Sequence, residues 1–157
     1  MSKDPGTLDA LLTEDRRFCP SKNFRARAVI SDPGIYERAK TDPEAYWVEW
    51  AEQLEWFRRW DSVLEWDPPK VKWFIGGKLN VSYNCLDRHL SSIRSDQDAL
   101  IWEGEPGDTR RFTYQELHVA VCRLANSLKN LGVERGDRVT IYLPMIPEAA
   151  IAMLACA

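Results

Sequence analysis

From Leu117 onward, large apolar residues recur at Val121, Leu124, Leu128 and Leu131, with steps of four, three, four and three. That period places them on one face of an α-helix. Thr113 and Glu116 stand where a capping box would start this helix, and Gly132 stands where it would stop. Upstream, Ala99 to Trp102 and Arg110 to Thr113 read as two short strands of a β-hairpin. They are joined by the turn-rich loop Gly104-Glu105-Pro106-Gly107-Asp108. Downstream, Val139, Ile141 and Leu143 alternate with polar or solvent-tolerant positions, the pattern of a strand over Arg138 to Leu143. Pro147 then opens a further helix, with Glu148 in its first turn.

The region before the hairpin is less regular. Asp32-Pro33 predicts a capped helix running to about Lys40, and Thr41-Asp42-Pro43-Glu44 repeats the signal. The second helix would carry Trp47, Trp50, Leu54 and Phe57 as one stripe and fail near Trp60-Asp61, before Pro68-Pro69. Val71 to Ile75 reads as a short strand followed by a Gly76-Gly77 turn. Asn84 can cap a helix presenting Leu86, Leu90 and Ile93. Residues 1 to about 28 have weak periodicity and a basic cast from Arg16, Arg17, Lys22, Arg25 and Arg27, which suits a leader lying on a larger domain. The order strand, capped helix, strand, helix belongs to an α/β fold. Ala149 to Ala157 is apolar on all sides and lacks a stop signal, so burial against further polypeptide is expected and the chain reads as truncated.

Composition narrows the function. The chain has 157 residues with 45% apolar and 29% charged positions, normal for a globular domain, and its net charge of -3 offers no broad basic surface for nucleic acid. Six of the seven tryptophans fall between Trp47 and Trp73. A base-stacking platform would need basic neighbours, whereas Glu49, Glu52, Glu55, Asp61, Glu65 and Asp67 outnumber Arg58 and Arg59, so a packed aromatic cluster is expected. No apolar run reaches the ~20 residues of a membrane span, and the N-terminus lacks a secretory pattern. A cytoplasmic protein follows, with Cys19, Cys85, Cys122 and Cys156 as reduced, mostly buried thiols.

Two motifs invite chemistry and fail. Gly76-Gly77-Lys78 lacks the first glycine of a phosphate loop and has Leu79 where a hydroxyl is needed. Asp87-Arg88-His89 brings an acid and a base together in sequence, but successive helical residues point about 100° apart, so Asp87 cannot orient His89 and an ion pair or cap is expected. His118 follows Leu117 onto a more polar side. No catalytic, cofactor-binding or metal-ligating residue is assigned.

The stretch Lys72-Trp73-Phe74-Ile75-Gly76-Gly77-Lys78-Leu79-Asn80-Val81-Ser82-Tyr83-Asn84-Cys85-Leu86-Asp87-Arg88-His89-Leu90 resembles the AMP-forming acetyl-CoA synthetases of the adenylate-forming superfamily. Asp42-Pro43-Glu44-Ala45-Tyr46-Trp47 and Tyr142-Leu143-Pro144-Met145-Ile146-Pro147-Glu148 agree, and the match runs from about Phe18 to the last residue. The resemblance implies a leader over 1–28, a wrapping helical region over 29–97 and, over 98–157, the start of the large AMP-binding α/β domain. It further implies a ligase that turns acetate, ATP and CoA, with magnesium, into acetyl-CoA, AMP and pyrophosphate through an acetyl-adenylate. The phosphate-binding loop and the catalytic lysine of that family match nothing in this sequence, so the chain alone should be inactive and its partner is the remainder of its own polypeptide. Asp87, Arg88 and His89 become structural anchors. A propionyl-CoA or other short-chain acyl-CoA synthetase, or a non-catalytic binding module derived from one, are the alternatives.

Overall fold

The computed structural model describes residues 18–157, so Arg16 and Arg17 and most of the expected leader lie outside the described residues. The described chain divides into two units between Pro43 and Glu44. In the first, Ser21 caps a short helix α1 (Lys22–Ala26) by accepting from the Phe24 amide. Helix α2 (Gly34–Thr41) begins where Asp32 accepts from the Gly34 amide at 2.8 Å and pairs with Arg38 at 2.9 Å. Both contacts lower the Asp32 pKa, the amide hydrogen bond most.

The second unit begins with the body of α3 (Pro43–Ala51). Here the structure corrects the expected long stripe: Leu54 and Phe57 are not on the helix and are exposed. The helix ends because its last carbonyls find other partners. The Trp56 indole donates to the Ala51 carbonyl at 2.7 Å, and the next residues are drawn to a distant segment by Phe57 N–H to Lys78 O at 2.8 Å and Lys78 N–H to Arg58 O at 2.8 Å. A strand the sequence reading passed over follows. β1 (Ser62–Asp67) pairs antiparallel with β2 (Lys70–Ile75), Leu64 facing Trp73, around a cis Pro68-Pro69 bond.

The expected tryptophan cluster forms around Phe74. Its ring lies 5.6 Å from Trp56, 5.0 Å from Trp60 and 6.0 Å from Trp73, and Trp73 meets Trp47 at 6.5 Å. Phe74 holds a positive φ of 52°, a conformation costing a non-glycine residue on the order of 1 kcal/mol, and its three aromatic neighbours hold it there. Trp66 stands outside the cluster and is exposed.

The next helix starts four residues earlier than expected. Asn80, not Asn84, caps α4 (Val81–Cys85), and Leu86 leads into a 3-10 turn over Asp87–His89. Ile93, expected on the apolar face, is 89% exposed. Asn84 serves as a clamp: its amide accepts from the Glu55 N–H and donates to the Glu55 carbonyl, both at 2.9 Å.

β3 (Asp98–Glu103) and β4 (Thr109–Thr113) form the expected hairpin, and α5 (Tyr114–Asn130) carries the expected capping box in both directions. α6 (Pro147–Cys156) is set on this frame by two bonds: Trp102 Nε1 donates to the Met145 carbonyl at 2.7 Å, and Arg110 meets Glu148 at 2.8 Å. Leu86, Leu117, Val121 and Ile151 are buried together, so α5, α6 and the turn after α4 share one core, with Leu100 and Phe112 of the hairpin packed on it. The helix α6 is thus buried on one side only; Met153 on another side is 65% exposed. Arg138 to Leu143 is no strand. Each sheet among the described residues is an antiparallel pair, and this segment has no ladder partner to make its alternation a strand.

Candidate functional site

The residues with chemistry gather on the side of α5 that turns away from the hairpin. Leu117 and Val121 face the core; one position further on each, His118 and Cys122 are rotated by about 100° onto a more open side. Being four apart, they lie one above the other, and Cys122 Sγ stands 3.5 Å from His118 Nε2 and 4.0 Å from Nδ1. Asp87, brought in by the 3-10 turn, places Oδ1 3.3 Å from His118 Nε2. The turn is firm because Leu86 is almost fully buried and Arg88 donates to the Gln53 carbonyl and to Asn84 Oδ1, both at 3.0 Å. Asp87, His118 and Cys122 open on a groove of about 910 Å³, lined also by Phe57, Tyr83 and Met153.

The two motifs singled out in the sequence have other work. At Gly76, φ is 77° and a side chain would meet the Asp61 carboxylate at 2.1 Å. The ion pair of Asp61 with Arg58 fills the space in front of this glycine, and the segment is a turn. Asp87 reaches His118 across 31 residues, Arg88 holds the backbone, and His89 packs edge-on against Tyr114 at 5.0 Å. The three side chains diverge. Sequence spacing alone would have shown the His118–Cys122 pair, four apart on a capped helix; nothing local announces Asp87 as its neighbour. The thiols also depart from expectation. All four are free and all four are exposed, Cys122 because it follows a core position round the helix.

His89 carries a pH signature. Partial burial first, then the charges of Arg88 and Arg94, hold its pKa below the ordinary 6.5. The folded chain therefore resists a proton that the unfolded chain accepts. This group costs no stability above pH 6.5; as pH falls below 6.5 stability drops, and the loss levels off once the folded-state value is passed. Urea midpoints measured from pH 7.5 downward are expected to fall from about pH 6.5, and His89→Gln should flatten that part of the curve. An unchanged slope in the variant would assign the effect elsewhere.

Comparison with known proteins places this geometry. Residues 34–85 match the family model described as the acetyl-coenzyme A synthetase N-terminus, and residues 88–157 match that of the AMP-binding enzymes. The chain belongs to the AMP-binding enzymes. Within them it falls in the acetyl-coenzyme A synthetase family, over the N-terminal region of that family. It is 57% identical to the acetyl-coenzyme A synthetase of Gemmatimonas aurantiaca over 150 residues, which is 96% of this chain and 23% of that protein. It is also 57% identical to the Rubrobacter xylanophilus enzyme over 143 residues, covering 90% of this chain and 22% of the relative. A solved structure, the acetoacetyl-CoA synthetase from Streptomyces lividans, superposes with a TM-score of 0.72 at 28% identity over 87% of this chain and 24% of that one. The helix-and-strand architecture is that of this family. The chain spans under a quarter of the length of these relatives. Among the described residues no helix is long and apolar enough to cross a membrane.

Proposed function

We propose that this chain supplies the N-terminal scaffold of an AMP-forming acetate–CoA ligase, a cytoplasmic enzyme that converts acetate, ATP and CoA with magnesium into acetyl-CoA, AMP and pyrophosphate. The observation that carries the reading is 57% identity, sustained over 96% of the chain, to a protein named acetyl-coenzyme A synthetase. The scaffold has three parts in this reading: a leader over 1–28, a wrapping region over 29–97, and the opening of the AMP-binding domain over 98–157. The residues present do not fit ATP phosphates. In the one glycine-lysine turn the ion pair of Asp61 with Arg58 fills the space in front of Gly76, where a phosphate would have to sit. No step of the reaction is assigned to this chain. Its contribution is the capped helix α5, the hairpin and α6, which together present a half-covered apolar layer for the rest of the enzyme to close.

A chimera tests this. In the Gemmatimonas aurantiaca enzyme, the segment matched by this chain is replaced with residues 1–157, and acetate-dependent AMP formation is measured beside exchange of pyrophosphate into ATP by the 157-residue chain alone. The expected result is an active chimera that prefers acetate and a silent isolated chain. A soluble chimera without activity, or exchange catalysed by the isolated chain, overturns the assignment.

A further inference from the structure

We draw no further inference here: the strongest candidate, the apolar strip on one face of the β1–β2 hairpin where exposed Trp66 and Val71 stand opposite each other, lies in the region assigned to wrap the rest of the enzyme, and nothing in the structure shows what covers it.

Discussion

Leu86→Ala is expected to lower the unfolding free energy by roughly 3 kcal/mol, the middle of the range for emptying a buried leucine site. Leu86 is 2% exposed and lies at the point where the turn after α4 enters the core made by Leu117, Val121 and Ile151. Deleting its isobutyl group leaves a void that α5 and α6 cannot both close, because Trp102 and Arg110 fix α6 at its start. For a chain of this size the loss corresponds to a melting temperature lower by on the order of 10 °C. Leu86→Met, which conserves volume, should cost less than about 1.5 kcal/mol. Chemical denaturation of the three chains checks both numbers; an alanine variant as stable as the methionine variant would place the core elsewhere.

The second large effect is expected at a position that looks permissive. Gly77 has an ordinary φ, so alanine meets no conformational barrier there, and a surface turn would tolerate it. The structure says otherwise: a Cβ at Gly77 would stand 2.5 Å from Trp56 Cζ3 and 3.0 Å from the Phe74 carbonyl oxygen. The Trp56 ring cannot swing aside freely. It packs on Trp60 at 4.9 Å and on Phe74, and its indole N–H is bonded to the Ala51 carbonyl at the end of α3. Gly77→Ala should therefore cost about 2 kcal/mol through overpacking and loosen the end of α3. Gly107→Asn, at a left-handed position with nothing within 4 Å, gives the comparison: a backbone cost without a clash against the tryptophans. Near-ultraviolet circular dichroism should lose tryptophan signal in Gly77→Ala and keep it in Gly107→Asn. Equal behaviour of the two variants would refute the packing argument.

What the sequence made legible was local. The capping box at Thr113 and Glu116, the hairpin with its Gly-Glu-Pro-Gly-Asp loop and the proline start of α6 each depend on a few neighbouring residues, and each formed as expected. What it hid was set at a distance. The end of α3 is decided by Lys78 and Asn84, more than twenty residues away. β1 escaped notice because its apolar residues, Val63, Leu64 and Trp66, occupy both faces and extend the tryptophan-rich pattern of the helix before it. Asn84 carries the side-chain chemistry of a cap, and Asn80 four residues earlier carries the same; only the tertiary bond to Glu55 tells which one closes the helix. The site divides in the same way. His118 and Cys122 share a helical face readable from spacing, while Asp87 reaches them through the fold.

The segment from Arg138 to Leu143 carries one further consequence. Val139, Ile141 and Leu143 are 39%, 37% and 46% exposed, on a backbone with no ladder partner among the described residues. Unmatched amides beside greasy side chains act as a template for any β-competent peptide they meet. Dilution should accordingly favour the solitary molecule, and crowding the pairing of this segment with a strand from elsewhere.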